Sequence, residues 1–505
     1  MSKKKKPLIT AGQDWSFEML EIVEKEIAKI AKEELRLNVY PNQIEIITAE
    51  AMLDAYASVG MPIYYNHWSF GKDFISNHRR YESGNMGLAY EIVINSNPCI
   101  SYCMDSNTAM MQALVIAHAG YGHNAVFKNN YLFKQWTDAS SIIDYMNFAK
   151  KFIKSCEERY GFDEVESVLD SCHALAYLGV DKVKRAHTPT LRAEDEEKRA
   201  YEAFDEKIRN YNELWDKTVP KKPKADAVKS NITQPEDNIL YFIEKNAPTL
   251  PGWKREIIRI VRKINQYFFP QSQTKVVNEG FATFTHYYIM TRLYEKGIMD
   301  SGAYQEFLHS HTAVVAQPGY DSPYFSGFNP YALGFAMFKD IKRICEEPTE
   351  EDRTWFPDLI GKDWVDAVQD AMMNYNDSSF VAQFLSPHLM RHFKMFAFSD
   401  QEEDDFYSIS AIHNDDGYYR VRKILSDNYM RSVYVPDIQV VDVDIYNTRA
   451  LTLRHNLTQM PLKSDQAERT GLHVVNLWEQ PVILESVDSE GEHDFKIHFK
   501  GKFEQ

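Results

Sequence analysis

The chain has 505 residues, of which 44% are hydrophobic and 13% aromatic, and its formal net charge is -16. A chain of this length and composition can bury a substantial core and is long enough for two or three domains. A surface that follows nucleic-acid phosphates or anionic lipids needs clustered excess Lys and Arg, so the acidic balance argues against both kinds of binding. The basic runs at 3–6 and 221–224 are short, and we interpret them as solvated segments.

The sequence predicts neither a secretory signal nor a membrane span. The basic start is followed by Gly12, Gln13 and Asp14 instead of an apolar stretch. The longest apolar run, at 110–117, falls well short of the roughly 18 residues of a membrane span. The 5 cysteines lack paired spacings such as C-x-x-C, so they predict no disulfide framework. We therefore expect a cytoplasmic protein without stable membrane insertion.

Helical and alternating patterns predict a mixed first part of the chain. Met111, Leu114, Val115 and His118 recur at the spacing of one helix face. The elements predicted up to this point are a helix over 17–30, a helix over 48–60, strands over 63–70 and 89–95, and a helix from 108.

The middle of the chain predicts helices interrupted by one charged segment. Helical patterning over 141–179 breaks near 160, and it resumes over 237–396. Between them, 188–229 is rich in Glu, Lys, Arg and Asp and closes with prolines, so we interpret it as an exposed helix followed by a flexible linker. Asn329-Pro330 predicts a helix cap followed by a first-turn proline.

An acidic break at 401–405 predicts a separate C-terminal module. Its predicted elements are, in order, strand 406–413, helix 417–430, strand 438–446, strand 450–454, helix 464–479, strand 482–486 and strand 495–499. The first six have the β-α-β-β-α-β order of a ferredoxin-like unit. Small modules of this kind more often bind other molecules than catalyse reactions, and we expect a binding role here.

Together these patterns predict an α+β protein with a mainly helical N-terminal region, a small β-sheet and a ferredoxin-like C-terminal domain. The predicted divisions are 1–187 and 237–400 as two halves of one metal-site domain, 188–236 as the charged helix and linker, and 404–505 as the C-terminal domain.

Two distant segments together carry side chains suited to a divalent metal. The first contains His118 and His123, and the second contains Glu279 and His286. Both segments are predicted to be helical, and both place hydrophilic donors where core residues would otherwise lie. Because imidazole and carboxylate together suit zinc, we predict that His118, His123 and Glu279 bind one divalent ion.

The spacing of the two histidines is unfavourable on a regular α-helix. Five residues turn an ideal helix through about 500°, which leaves the two rings some 140° apart. Gly120 and Gly122 would permit a wide turn or an unwound last turn. The alternative is a helix C-terminus, with His123 near the last carbonyls and His118 satisfied in the core.

Glu279 and His286 are seven residues apart, hence on one helix face but roughly 10 Å apart along the axis. We therefore expect Glu279 to bind the ion, and His286 to orient a partner or contact substrate. The alternative for Glu279 is a first-turn acid that the helix dipole favours.

Three weaker candidates remain. His67 could be a further ligand, or it could pack beside Trp68. His309 and His311 alternate around one residue, so at most one of them lies near a site. Cys172 and His173 are adjacent and project about 100° apart on a helix, so they do not form a catalytic dyad by themselves.

The strand at 91–95, the histidine helix and the later helix with Glu279 resemble the zincin metallohydrolases. In the aminopeptidase-like zincins, a string similar to Asn-Glu-Gly-Phe-Ala at 278–282 supplies a glutamate ligand, and an edge strand holds an extended substrate. The chain departs from that pattern because Ala119 stands where the general-base glutamate would be. The resemblance therefore implies Glu91 or another carboxylate as the replacement base.

Nearly the full chain also resembles the SpoVR (stage V sporulation protein R) family. The strings that carry this resemblance are VGMP at 59–62, HWSFGK at 67–72, LAYEIVINSNP at 88–98, HAGYGHN at 118–124, FKNNY at 127–131, DSCHAL at 170–175, NEG at 278–280 and NPYALGF at 329–335. The resemblance implies a role in spore cortex formation or in stationary-phase and stress adaptation. It also implies a serine protein kinase and a von Willebrand A-like protein as partners, whereas no set of catalytic residues transfers from the family.

Two functional hypotheses follow. The first is a metal-dependent hydrolase acting on an amide bond of a cell-wall precursor or peptide, with Glu91 and His286 as catalytic residues. The second is a non-catalytic regulator whose metal or polar cluster is structural and whose C-terminal module docks a kinase-linked partner. A metal with an exchangeable water would separate them, since structural zinc sites are normally closed by four protein ligands.

Overall fold

A computed structural model describes most of the chain. The described residues are 7–58, 61, 64–82, 91–183, 235–319, 322–395, 398–399, 408–409, 414–430, 435–445, 447–457 and 461–501. The protein is mostly helical with small sheets, as an α+β protein should be. It divides into two compact units, Met1–Lys150 with Phe269–Met430, and Lys151–Phe268 with Arg431–Gln505.

Helices account for most of the regular structure. In chain order they are α1 (Phe17–Glu33), α2 (Ala49–Ala57), α3 (Trp68–Glu82), α4 (Ala109–Val115), a π-helix (Ile116–His123), α5 (Asn124–Asn129), α6 (Tyr131–Trp136), α7 (Ile142–Tyr160), α8 (Phe162–Ala174), α9 (Ile239–Asn246), α10 (Gly252–Gln273), α11 (Lys275–Glu295), α12 (Ser301–Val314), α13 (Pro330–Glu346), α14 (Glu350–Trp355), α15 (Trp364–Asn374), α16 (Asp377–Phe384), α17 (Pro387–His392), α18 (Asp415–Asn428) and α19 (Ser464–Trp478).

The strands are short. They are β1 (Asn42–Ile47), β2 (Glu91–Ile94), β3 (Cys99–Met104), β4 (Phe398–Ser399), β5 (Ser408–Ile409), β6 (Ile438–Val443), β7 (Leu451–Asn456), β8 (Val482–Val487) and β9 (His493–Phe499). In the first unit β1 pairs parallel with β3, and β2 pairs antiparallel with β3. The order β1-β3-β2 leaves β2 at an edge of this sheet, with Glu91 opposite Cys103.

Most helices predicted in the first unit are confirmed, and their caps explain where they begin. Ser16 caps α1 by accepting a hydrogen bond from the backbone of Met19 at 3.2 Å. Thr48 caps α2 and Thr108 caps α4 in the same way. Asn329 caps α13, whose first residue is Pro330, as the sequence predicts.

The strand predicted over 63–70 is wrong. Of the described residues in this range, 64–67 form neither strand nor helix, and helix α3 begins at Trp68. The aromatic residues that suggest a strand pack on one another instead of alternating across a sheet, since the ring of Tyr64 lies 4.6 Å from that of Tyr65 and 4.9 Å from that of Phe70. The strand predicted over 89–95 is present as β2, whereas β1 and β3 were not predicted.

The core of the first unit lies around α11, which is buried along most of its length. On one side, α11 packs with α13, α15 and α16, where Phe281, Phe338 and Phe380 are fully buried. On another side it packs with α1, α4 and α12, where Ile27 and Phe307 are fully buried. Burying side chains of this size contributes roughly 1.5–3 kcal/mol each, so α11 is held firmly from both sides.

The second unit contains the C-terminal sheet, in which β6, β7, β8 and β9 are neighbours in that order. The outer pairs are antiparallel, and β7 and β8 are parallel because α19 connects them. Helix α19 also packs on α8, where Asn476 Nδ2 donates to Ser171 Oγ at 2.9 Å. The fully buried Trp478 packs against Phe242 of α9, with ring centroids 6.0 Å apart.

The ferredoxin-like arrangement of the C-terminal module is not confirmed. Its predicted first strand contributes β5, which pairs with β4 instead of joining the four-stranded sheet. Its predicted first helix is present as α18 but belongs to the first unit, because Arg422 donates to the carbonyl of Leu385 at 2.8 Å and Ser426 donates to Ser378 at 2.9 Å. The predicted boundary at 404 and most of the charged segment 188–236 lie outside the described residues.

Two further observations concern the whole described chain. In its described part, the protein has no helix that is both long enough and apolar enough to cross a membrane. All five cysteines are free and buried. Burial raises the pKa of the Cys172 thiol, so this residue is a poor nucleophile.

Candidate metal centre

The two predicted histidine ligands lie on the π-helix that separates α4 from α5. The backbone N–H of Asn124 donates to the carbonyl of Ala119, a bond that spans five residues instead of the four of an α-helix. This wide turn brings residues five apart onto nearly the same face, so the rings of His118 and His123 lie with their centroids 4.6 Å apart. The alternative of a helix C-terminus is wrong, because α5 continues the helix beyond His123.

Close packing explains why glycine is needed in the π-helix. A Cβ added to Gly122 would lie 2.5 Å from the Cα of Ala282 on α11, which is too close for any side chain. A Cβ added to Gly120 would lie 3.1 Å from the amide nitrogen of Asn42 on β1. The wide turn therefore lies directly against the helix that carries Glu279.

Glu279 lies in the second turn of α11 rather than at its opening, because the helix begins at Lys275. The alternative of a first-turn acid is therefore wrong. Oε2 of Glu279 lies 3.7 Å from Nε2 of His118 and 3.5 Å from Nε2 of His123. The carboxylate thus faces both histidines.

A second carboxylate reaches the same point from the edge strand. Oε1 of Glu91, the first residue of β2, lies 3.3 Å from Nε2 of His118. In the searched part of the chain, Glu91, His118 and His123 form a group whose ligand atoms all lie within 4.8 Å of one another. These three residues could hold a metal ion, and Glu279 lies beside them.

The separations fit a shared ion better than direct hydrogen bonds. Nε2 of His118 lies 3.3 Å from the Glu91 carboxylate and 3.7 Å from that of Glu279, and Nε2 of His123 lies 3.5 Å from that of Glu279. Hydrogen bonds usually span only about 2.7–3.2 Å. Ligand atoms at the corners of a tetrahedron with zinc bonds near 2.1 Å lie about 3.4 Å apart. Oε2 of Glu91 and Oε2 of Glu279 are also buried without a hydrogen-bond partner among the described residues. Since buried carboxylate oxygens are costly to leave unpaired, the donor set is suited to a cation.

The other ring nitrogens of both histidines are held by a second layer of polar groups. Nδ1 of His123 lies 2.9 Å from Oδ1 of Asn278, and Nδ1 of His118 lies 2.8 Å from Nδ1 of His286. Nε2 of His286 in turn lies 3.0 Å from Nδ1 of His311. Metal-binding histidines in proteins are commonly oriented in this way by a partner on the far ring nitrogen.

The two carboxyl groups differ in their electrostatic surroundings. Burial raises the pKa of Glu91 to about 7, with His118 opposing this shift and Glu279 adding to it. Burial also raises the pKa of Glu279, but His123, His118 and the phenol of Tyr331 together lower it below its ordinary value. Glu279 is therefore the more firmly ionised of the pair, and Glu91 is the one able to exchange a proton near neutral pH.

The histidines differ as well. Burial lowers the pKa of His118, but Glu91 and Glu279 raise it above its ordinary value. Burial lowers the pKa of His123 to about 4. A neutral imidazole is the form that binds a metal, so His123 is already in the binding form at neutral pH.

The structure also places the weaker candidates. His311 is buried beside His286, whereas His309 is exposed, so only one of this alternating pair lies near the centre. His67 directly precedes α3, where its Nδ1 lies 2.7 Å from the hydroxyl of Ser69. Among the residues that sequence reasoning did not assign to the site are Asn278 and Tyr331. Both lie within strings that the sequence analysis singles out, Asn278 in NEG at 278–280 and Tyr331 in NPYALGF at 329–335.

Comparison with known proteins identifies relatives along nearly the whole chain. Residues 14–434 match the family model described as "SpoVR like protein", and residues 436–489 match that of the "SpoVR-like C-terminal domain". The chain is 53% identical over 489 residues to the protein named "Uncharacterized protein YcgB" of Escherichia coli (strain K12). The aligned region covers 96% of this chain and 94% of that protein. No solved structure matches.

Proposed function

The chain belongs to the SpoVR family, and we propose that it is a metal-dependent hydrolase that acts on an amide bond. The observation that carries this proposal is the convergence of Glu91, His118, His123 and Glu279, whose facing donor atoms have the separations of ligands around one small cation. The arrangement of an edge strand, a histidine helix and a later glutamate helix resembles that of the zincins, which supports hydrolysis as the reaction class.

We assign His118, His123 and Glu279 as the ligands and zinc as the ion. Two imidazoles and one carboxylate are a common donor set of catalytic zinc, and three protein ligands leave a position for water. The lowered pKa of Glu279 keeps its carboxylate charged, which favours this residue over Glu91 as the ligand. A divalent ion held there would polarise an amide carbonyl and lower the pKa of a bound water towards 7.

Glu91 would act as the general base. It lies on the same side of His118 as Glu279, and its pKa of about 7 suits proton exchange at neutral pH. It would replace the glutamate that zincins carry next to the first histidine, where this chain has Ala119. His286 would act through His118, because both of its ring nitrogens face other histidines.

A peptide or a cell-wall precursor is the substrate class that we propose, since both contain amide bonds. The family name refers to sporulation, and a role in the spore cortex or in stress adaptation is part of this proposal.

Cobalt substitution would test the open coordination position on which hydrolysis depends. Elemental analysis of the purified protein should first show about one divalent ion per chain. The cobalt-loaded protein should then change its visible absorption when azide is added, because azide replaces a bound water. An unchanged spectrum at saturating azide would indicate a closed site and would contradict the hydrolase proposal.

One observation favours a second function. Four protein donors surround one point, and four ligands are the number that closes a structural zinc site. In that case the ion would brace the first unit, and the protein would be a regulator that works with a serine protein kinase and a von Willebrand A-like protein. This alternative would be supported if metal removal lowered the folding stability and if azide left the visible absorption of the cobalt-loaded protein unchanged.

A further inference from the structure

A chain of three histidines leads away from the candidate metal centre and ends on another helix. His118 on the π-helix contacts His286 on α11 through their Nδ1 atoms, which are 2.8 Å apart. His286 contacts His311 on α12 through Nε2 and Nδ1, which are 3.0 Å apart. The three residues are only 5%, 2% and 5% exposed, so bulk solvent has little access to these contacts.

The hydrogen positions along this chain are fixed once His118 binds an ion. A neutral imidazole has one N–H and one lone pair. If Nε2 of His118 binds the ion, its single proton is on Nδ1, and Nδ1 of His286 must accept it. The proton of His286 is then on Nε2, where Nδ1 of His311 must accept it in turn. Each contact has one donor and one acceptor only in this arrangement.

Resting on the metal site proposed above, we propose that His286 and His311 are positioning residues that hold His118 in the tautomer whose Nε2 lone pair faces the ion. Neither residue touches the ion or the reacting bond. His311 acts on His118 only through His286, because it is the acceptor that keeps the proton of His286 on Nε2.

Comparison with the other histidine ligand shows what a third ring adds. His123 donates from Nδ1 to the amide oxygen of Asn278, which is an acceptor without help. His118 instead faces a second imidazole, whose Nδ1 is an acceptor only in one tautomer. The backbone carbonyl of Ala282 also hydrogen-bonds His118. His311 is the neighbour placed beyond His286 to select the tautomer in which His286 accepts.

Aromatic packing holds His311 in the required orientation. Its ring centroid lies 4.8 Å from that of Phe335, 4.9 Å from that of Tyr287 and 5.7 Å from that of Phe307. Rings of this size on several sides leave the imidazole little freedom to turn. The acceptor nitrogen therefore stays aimed at His286.

Zinc competition against a chromogenic chelator tests the proposal at one fixed, mildly alkaline pH. His286→Leu removes both the acceptor and the donor, and should weaken zinc retention by about 10- to 100-fold. His286→Gln should recover most of this loss, because its amide offers both an acceptor oxygen and a donor nitrogen. His311→Leu should cost less, about 3- to 10-fold, because it acts one contact further away. His309→Ala, on the same helix but exposed, is the matched control and should retain zinc like the wild type.

Nitrogen-15 NMR of histidine-labelled, zinc-loaded wild-type protein gives a second readout that needs no variant. His286 and His311 should both be protonated on Nε2 and unprotonated on Nδ1. The proposal is overturned if His311 is protonated on Nδ1, if folded His286→Gln is as weak as His286→Leu, or if His311→Leu matches the control. If the wild type binds no zinc at all, the proposed function fails as well, so the two failures are distinguishable.

Discussion

Gly280 on α11 and Gly334 on α13 pack backbone against backbone, directly after the glutamate of the candidate metal centre. A Cβ added to Gly280 would overlap the Cα of Gly334, and a Cβ added to Gly334 would overlap the carbonyl oxygen of Val276. The two helices can approach this closely only because both positions lack a side chain. The crossing sets the distance between Glu279 and Tyr331, whose phenol helps to lower the pKa of that carboxyl group.

We predict that Gly334→Ala destabilises the protein by roughly 1–3 kcal/mol or more, since overpacking forces the two helices apart. Thermal denaturation should show a lowered midpoint, and zinc retention should fall because Glu279 moves with its helix. Gly71→Ala is the control: this glycine lies within α3 with nothing within 4 Å of an added Cβ. It should be neutral or slightly stabilising, by about 0.4–1 kcal/mol. Equal effects of both substitutions would contradict the role given to the crossing.

The helices could be predicted well where capping and periodicity are local. Thr108 caps α4 and Asn329 caps α13, as their sequences indicate. The start of α11 could not be predicted in this way, because the residue that holds it is distant in sequence. Oδ1 of Asp377 accepts from the backbone N–H of Val277 at 2.9 Å, 100 residues away along the chain. Glu279 is thus in the second turn, although its local sequence suggests a helix opening.

The site residues could be selected by chemistry, but their arrangement depended on tertiary structure. The five-residue spacing of His118 and His123 is incompatible with an α-helix, and Gly120 and Gly122 were the signal that a wide turn was possible. The π-helix supplies that turn. The pairing of His286 with His311 could not be predicted, because it depends on how α12 packs against α11.

The two carboxylates of the centre should respond differently to loss of charge. We predict that Glu279→Gln weakens zinc retention by about 10-fold or more without unfolding the protein, because the amide keeps the shape but is a poorer ligand. Glu91→Gln should retain zinc within about 3-fold and abolish amide hydrolysis, since it removes the base rather than a ligand. Elemental analysis after dialysis and a peptide-hydrolysis assay would measure both. Similar metal loss in the two variants would instead indicate that Glu91 is a fourth ligand.

Asn278 should control the orientation of His123. Its Oδ1 lies 2.9 Å from Nδ1 of that histidine, so we predict that Asn278→Leu weakens zinc retention by about 10-fold. Asn278→Asp keeps an acceptor oxygen at the same place and should retain zinc at least as well as the wild type. Chelator competition would measure both affinities. Equal weakening by leucine and aspartate would show that packing, not the hydrogen bond, matters at this position.

Glu34 should make the stability of the protein depend on pH. Its carboxylate accepts from Arg292 at 2.6 Å, from Lys296 at 2.8 Å and from the hydroxyl of Tyr288 at 3.1 Å, which joins the end of α1 to α11. Burial raises the pKa of Glu34, but these hydrogen bonds lower it from 4.5 to about 2.

Folding lowers the pKa of Glu34, so its charged carboxylate stabilises the folded protein fully above about pH 4.5. This stabilisation is lost as the pH falls from there towards 2. We predict that Glu34→Gln lowers the free energy of unfolding by about 1–2 kcal/mol at neutral pH, a value reduced for screening by solvent. The difference between variant and wild type should shrink as the pH approaches 3, as urea unfolding at several pH values would show. Glu33→Gln, at the exposed neighbouring position, should have little effect at any pH. A loss for Glu34→Gln that stays constant down to pH 3 would mean that the carboxylate charge is not the source of the stabilisation.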